Sequence, residues 1–336
     1  MSSTDAHSPN MTPFVRTVME DIPASRLGVT YAHEHLIIDP SFTTHATPEF
    51  ELSDVTRALD DLQRFRGAGG QSMVDSMPCD SGRNVLKLAD LARRSGVQIV
   101  APTGLHLAKY YDPGHWSHRY HEDVLTELFV ADLVEGIDAH DYSGPRVERT
   151  THRAGVIKIA TDTRFNDRER RIFAAAASAH RQTGAPILTH TEQGLLGLEQ
   201  VQTLRHLGVD LRHVVLSHLD RRPDLAYHRE ILSTGVCVEY DSAFRWKAPQ
   251  GNPTLDLVAG LIAEFPDQIM LGMDAARRSY WAGYGGAPGL DYLLTTFSSL
   301  LRAAGLTEPD LCRIFVTTPA RAFAFRPTPH ERPDSV

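Results

Sequence analysis

The sequence predicts a single-domain α/β protein folded as a (β/α)8 TIM barrel, and three observations indicate it. Eight short apolar runs recur along the chain, each followed by a helix-like stretch. The runs are continuous rather than alternating, as in parallel strands that are buried on both faces. Strand and helix alternating in this way are typical of the barrel. The predicted strands span 29–38, 72–77, 98–104, 155–161, 186–191, 213–219, 235–240 and 268–273.

Three of the intervening segments have clear helical patterns. Their apolar residues repeat at helical spacing, and a glycine lies at or near the end of each. A doubly wound open sheet is the main alternative fold. The glycine fingerprint of a dinucleotide site is missing after the first run, where the chain reads His33-Glu34-His35. The three predicted helices span 81–95, 167–183 and 223–233.

One barrel domain is expected over 21–325, between an N-terminal arm at 1–20 and a disordered tail at 326–336. The arm is interpreted as an edge strand or a frayed end. The stretch 108–120, rich in Tyr, His and Trp, follows the third run and is a candidate active-site loop. Its neighbourhood contains three histidines that we interpret as packing residues: His115, His118 and His121.

Composition excludes several classes of protein. The 336 residues are 42% hydrophobic and 23% charged, as in ordinary soluble globular proteins. A net charge of -8 without a basic stripe argues against a nucleic-acid partner. The chain has no apolar run of about 18 residues, so no membrane span is expected. The N-terminal residues do not resemble a secretory signal, and the three cysteines include no CxxC pair. Both observations predict a reduced, cytoplasmic protein.

Polar side chains stand near the C-terminal ends of the apolar runs, where barrel enzymes place their active sites. On the first run, His33 and His35 are two residues apart, so both imidazoles face the same side of a strand and can share one cation. By itself the pair is a weak signal, because two ordinary histidines explain it equally well.

A lysine, Lys158, stands in the middle of the fourth apolar run. Burial of a cation there is costly, so its pKa is expected to fall. The neutral amine can act as a nucleophile, or it can accept carbon dioxide and become a carbamate that bridges two metals. The alternative is a lysine that extends out of the strand end into solvent.

Three more polar residues complete the pattern. His190 ends the fifth run, His218 the sixth and Asp274 the eighth. Each has an ordinary explanation alone, but together with the earlier residues they form a ligand set spread over five strands. Imidazole and carboxylate ligands suit zinc, manganese or cobalt.

These motifs, in their order and spacing, resemble the phosphotriesterase family of the amidohydrolase superfamily, and specifically its lactonase branch. The similarity covers the chain from Gly28 to about Phe325. The motifs are Ala32-His33-Glu34-His35, Gly155-Val156-Ile157-Lys158, Thr189-His190-Thr191, Ser217-His218-Leu219-Asp220 and Met273-Asp274.

The resemblance implies a site for two divalent metal ions, with zinc as the first choice. It assigns His33, His35 and Asp274 to one metal and His190 and His218 to the other, with an N6-carboxylated Lys158 and a hydroxide between them. That hydroxide would attack a carbonyl or phosphoryl centre, and Asp274 would accept and return the proton. A homodimer is also expected from the family.

Residues 238–242 depart from the pattern of some family members, which pass the proton to a histidine after the seventh strand. This stretch contains no histidine, which disfavours a specialised organophosphate hydrolase.

A group of residues after the seventh and eighth runs suits an anionic substituent. In the branch of the family that hydrolyses phosphorylated sugar lactones, the residues matching Lys247, Arg277 and Tyr280 hold the phosphate. The alternative is that they form salt bridges with acidic neighbours at the rim.

The leading interpretation is a hydrolase of lactones or carboxylic esters, with phosphorylated sugar lactones as one option. A phosphotriesterase or arylesterase is the close alternative, because the same hydroxide can attack phosphorus. A lyase that forms a Schiff base at Lys158 is an alternative of a different class. The third hypothesis is a non-catalytic binding protein that keeps the barrel fold, and the complete set of expected ligands argues against it.

Overall fold

A computed structural model describes residues 13–247 and 251–326. Most of the predicted arm and nearly all of the predicted tail therefore lie outside the described residues. The strands are β1 (Phe14–Arg16), β2 (Asp21–Pro23), β3 (Thr30–Glu34), β4 (Ser72–Asp75), β5 (Gln98–Val100), β6 (Pro102–Gly104), β7 (Val156–Thr161), β8 (Ile187–Thr191), β9 (Val214–Ser217), β10 (Cys237–Tyr240) and β11 (Ile269–Leu271).

A closed ring of parallel strands forms the centre of the molecule, which confirms the predicted (β/α)8 barrel. Strands β3 to β5 form one parallel sheet and β6 to β11 another. Only Ala101 separates β5 from β6, so these two are halves of one barrel strand. The ring closes beyond β11, where the backbone N–H of Asp274 donates to the His33 carbonyl at 3.0 Å.

Helices cover the outside of the ring. Helix α5 has the predicted bounds. Helix α3 begins four residues later than predicted, because the Asn84 side chain accepts the backbone N–H of Lys87 and caps it. Helix α7 likewise begins after the capping residue Asp224. The helices are α1 (Phe42–Ala46), α2 (Val55–Gly67), α3 (Val85–Ser95), α4 (Glu122–Val134), α5 (Asp167–Thr183), α6 (Gly197–His206), α7 (Leu225–Leu232), α8 (Pro253–Leu261), α9 (Ser298–Ala303), α10 (Glu308–Cys312) and α11 (Thr318–Ala322).

The inside of the barrel is filled by apolar side chains at its N-terminal end. Each of the eight barrel strands contributes one of them, and they belong to a cluster separate from the larger core under the helices. Polar groups in the barrel must therefore lie nearer the opposite end. The eight are Ala32, Val74, Val100, Val156, Leu188, Val215, Cys237 and Met270.

The hairpin β1–β2 closes the N-terminal end of the barrel. Val15 and Ile22 pair across the hairpin and are buried in the inner cluster. Arg16 donates to the Asp21 carboxylate at 2.7 Å and ties the two strands together. The boundary predicted between residues 20 and 21 falls in the turn of this hairpin, so Phe14–Arg16 packs with the barrel rather than apart from it.

Gly272, just past β11, lies where two strands approach closely. A Cβ atom at this position would be 2.7 Å from Oε1 of Glu239 and 2.7 Å from the carbonyl oxygen of His33. Both distances are well inside van der Waals contact, so only glycine fits without displacement of the strands that carry the candidate site.

We predict that Gly272→Ala lowers the free energy of unfolding by about 1–3 kcal/mol, because the added methyl overpacks the barrel. Urea unfolding of the metal-free protein measures the change. Gly67→Ala is the matched control, since nothing lies within 4 Å of a Cβ added there. Equal stability of the two variants would contradict this account of the barrel closure.

Candidate active site

A cavity of about 370 Å³ opens at the C-terminal ends of the barrel strands. Most of the predicted ligand residues line it, although they are far apart in the chain. Lys158 lies in β7 and is 1% exposed. The predicted ligands that line the cavity are His33, His35, His190, His218 and Asp274.

Two imidazoles, of His33 and His35, line the cavity at the end of strand β3, which has an irregular register. Its register against β4 shifts between Tyr31 and Glu34. Tyr31 packs outward with its ring 4.7 Å from that of Phe65, whereas His33 and His35 both line the cavity. Glu34 turns away from the cavity, and its Oε1 accepts the backbone N–H of Met273 at 2.8 Å.

Lys158 is a buried amine without a partner. Among the described residues, its Nζ has no hydrogen-bond partner. Burial lowers the pKa of Lys158 to about 8, and the carboxylate of Glu239 only partly opposes this shift. A large fraction of the amine is therefore neutral at mildly alkaline pH, which is the form that reacts as a nucleophile.

Carboxylates lie behind three of the cavity histidines. Nδ1 of His218 is 2.5 Å from Oδ2 of Asp241, and Nδ1 of His33 is 3.3 Å from Oε2 of Glu239. Nε2 of His190 is 2.9 Å from Oε2 of Glu192 in the same way. Nδ1 of His33 also bonds Oγ of Ser217, and Nδ1 of His218 lies 3.0 Å from Arg221, so only in His190 does the carboxylate clearly take the ring N–H. The other nitrogen of His190 is then unprotonated, as is typical of metal-binding histidines. Burial favours this neutral form and lowers the pKa of His190 to about 4.

Asp274 is held between two arginines and two histidines. Its Oδ2 accepts from Arg221 at 2.8 Å and from Arg245 at 2.9 Å, while Oδ1 lies 3.1 Å from Nε2 of His35. Burial opposes ionisation, but Arg245 and the histidines outweigh it and hold the pKa of Asp274 well below its usual range. The backbone φ values of Asp274 (47°) and His218 (68°) are both positive, a costly conformation that often marks functional sites.

The donor set fits a metal centre. Potential ligand atoms of His33, His218 and Asp274 lie within 4.8 Å of one another, and so do those of His33, Glu239 and Asp241. Neutral imidazoles, an ionised carboxylate and an unpartnered amine around one cavity are the groups that a divalent cation would satisfy. The assignment of each histidine to one of two metals stays a prediction.

Of the three predicted substrate-binding residues, two line the cavity and one does not. Arg277 and Tyr280 line the cavity, and Arg277 is at its rim, 3.1 Å from a carboxylate oxygen of Glu49. Tyr280 packs against Phe244, with ring centroids 4.9 Å apart. Lys247 is exposed, adjoins the undescribed segment 248–250, and is not among the described residues that line the cavity.

Sequence analysis did not select six polar residues that line the cavity: Thr43, Ser81, His106, Tyr110, Arg221 and Arg245. Weak signals existed. Arg221 directly follows the His218 motif, and Arg245 is two residues before Lys247. Tyr110 comes from the predicted active-site loop, in which His115 packs against Asp80 at 2.9 Å.

Residues 13–323 match the sequence profile of the phosphotriesterase family. The chain belongs to this family. The predicted resemblance is thus confirmed, and with it membership in a family of metal-dependent hydrolases. Among the described residues, no helix is both long and apolar enough to cross a lipid bilayer.

Several relatives resemble the chain over most of its length. It is 34% identical to a phospho-furanose lactonase from Mycoplasmopsis agalactiae, with 93% of this chain and 92% of the relative covered. A lactonase structure from Listeria monocytogenes superimposes with a TM-score of 0.85 at 30% identity, covering 94% and 100% of the two chains. The Escherichia coli phosphotriesterase homology protein, complexed with phosphate in its active site, gives a TM-score of 0.80 at 30% identity, covering 89% and 99%.

The low pKa of Lys158 predicts a pH dependence of stability. A basic group whose pKa is depressed on folding penalises the folded state fully below its folded pKa, and the penalty disappears above its unfolded pKa. For Lys158 these limits are about 8 and 10.5. Unfolding free energy should therefore rise by up to about 3 kcal/mol across this window, relative to Lys158→Met.

Chemical denaturation of metal-free, bicarbonate-free protein at pH 8 and pH 10.5 measures the difference. Subtracting the Lys158→Met values removes the contributions of other groups that titrate in the same range. An identical pH dependence in the two proteins would show that Lys158 is not a neutral buried amine.

Proposed function

We propose that this protein is a binuclear metal-dependent hydrolase that opens lactones, with phosphorylated sugar lactones as its substrates. The observation that carries the proposal is the buried, unpartnered amine of Lys158 beneath a cavity lined by histidines and Asp274. The similarity to a phospho-furanose lactonase supports the choice of substrate class.

The proposed ligands for one cation are His33, His35 and Asp274, and for the other His190 and His218. The neutral amine of Lys158 adds carbon dioxide and releases one proton, which yields a carbamate placed between the two positions. Zinc is our first choice of metal, with manganese and cobalt as alternatives, because the donors are imidazoles and carboxylates. Bound cations would supply an activated water and polarise the carbonyl group.

Asp274 is the proposed proton carrier. Arg221 and Arg245 hold its Oδ2, so Oδ1 stays directed at His33 and His35. In our proposal Asp274 accepts a proton from the attacking water and delivers it to the ring oxygen when the carbonyl carbon–oxygen bond breaks. Because the leaving alkoxide remains part of the same molecule, the product is one hydroxy acid.

The loop after β11 is proposed to bind the phosphate. Arg277 precedes the short turn Arg278–Tyr280, Tyr280 ends it, and both line the cavity. A guanidinium and a phenol there can donate several hydrogen bonds to an anion. Phosphate would replace Glu49 as the partner of Arg277, and Lys247 is proposed to join this group from the adjacent loop.

Metal removal should abolish hydrolysis. Chelation is expected to eliminate lactonase activity, and about two equivalents of divalent metal per chain should restore it. Lys158→Met should lose metal and at least about 100-fold in kcat, whereas Lys87→Met, whose amine pairs with Asp39 away from the cavity, should lose neither. Full activity after chelation, with borohydride trapping of substrate on Lys158, would instead establish the Schiff-base lyase.

Phosphate recognition should depend on Arg277 and not on its neighbour. Arg277→Ala is expected to raise KM for a phosphorylated γ-lactone by about 10-fold or more, because a charge-assisted hydrogen bond is lost, and to leave a neutral lactone unaffected. Arg278→Ala is the matched control, since its guanidinium instead bonds the Glu51 carbonyl. Equal effects on phosphorylated and neutral lactones would contradict the proposed phosphate site.

A further inference from the structure

Two neighbouring histidines of the cavity differ in the groups that face their rings. Nε2 of His190 lies 2.9 Å from the Glu192 carboxylate, which places the ring proton on Nε2 and leaves a lone pair on Nδ1. His106 is the reverse case. Its Nδ1 accepts the backbone N–H of Leu107 at 2.7 Å, so a donor rather than a carboxylate faces the ring.

This contact fixes the position of the proton on His106. A backbone N–H can only donate, so Nδ1 of His106 must carry a lone pair. A neutral imidazole with a lone pair on Nδ1 has its proton on Nε2, which is then a donor and not a metal ligand. The ring of His106 therefore differs from that of His190 in the position of its proton, although both line one cavity.

The rest of the surroundings hold His106 in place. Its backbone N–H donates to Oη of Tyr111 at 2.9 Å, and its carbonyl accepts from Arg168 at 2.8 Å. The ring packs between His190 and Tyr110, at centroid distances of 4.9 and 4.3 Å. Within 13–247 and 251–326, Nε2 of His106 makes no hydrogen bond to the protein, and the ring lines the cavity, so this donor can bond a ligand there.

We propose that Nε2–H of His106 is a specificity-determining donor that binds the hydroxyl next to the lactone carbonyl. This inference rests on the proposed lactonase function. His106 and Arg277 both line the cavity, and the ring of His106 packs against His190, a proposed metal ligand. A lactone with its phosphate at Arg277 and its carbonyl at the metal ligands would therefore bring the substituent beside the carbonyl to His106.

The test compares two phosphorylated γ-lactones that differ only in the hydroxyl beside the carbonyl. His106→Phe keeps an aromatic ring but removes the donor. It should lower kcat/KM for the hydroxylated lactone by about 3–10-fold, the value of one uncharged hydrogen bond, and leave the deoxy lactone within about twofold. His106→Gln, whose amide can donate from a similar position, should recover much of the loss. Metal content should be unchanged in both variants.

Equal losses on both lactones would overturn this role, because they would indicate a structural effect of the ring. Loss of metal in both variants would also overturn it, since His106 would then be a ligand. If the wild-type protein hydrolysed neither lactone, the proposed function itself would fail and this role with it. Activity of the wild-type protein thus separates the two failures.

Discussion

The burial of ionisable groups inside the barrel is the constraint on which the rest of the structure depends. Lys158 and Glu239 are almost fully removed from water, and burial shifts the pKa of each toward its neutral form. Such groups are costly unless a partner satisfies them. The barrel tolerates them because they share one layer, so that amine, imidazoles and carboxylates can interact with one another or with a bound cation.

The barrel interior has an apolar layer at its N-terminal end and a polar layer at its C-terminal end. Eight small and medium apolar side chains fill the N-terminal half, and the hairpin β1–β2 seals that end. The polar layer lies at the other end of the strands, beside the cavity. Partial burial there strengthens the contacts of Asp274 with Arg221 and Arg245. Stability and chemistry are thus located at opposite ends of the same strands.

Closure of the ring also positions the site. Glu34 bonds the backbone after β11, and Gly272 allows that segment to approach Glu239 and His33. The same contacts set the distance between the first and last barrel strands; His33 lies in the first, and His35 and Asp274 lie just beyond the ends of the two strands. A change in barrel closure therefore changes the geometry of the proposed metal ligands directly.

His190, His218 and Asp274 could be selected from the sequence because each stands at the end of an apolar run, and parallel strands bring such ends to one rim. His33 and His35 could be selected by their spacing of two, and Lys158 because a lysine inside an apolar run is unusual. The order and spacing of these motifs also identified the family. Tertiary structure decided which other side chains reach the cavity. Arg221, Arg245 and His106 lie beyond the strand ends, where side-chain direction depends on packing between distant segments rather than on strand periodicity. The carboxylates behind the histidines and the tautomer of His106 depend on contacts made only in the folded protein.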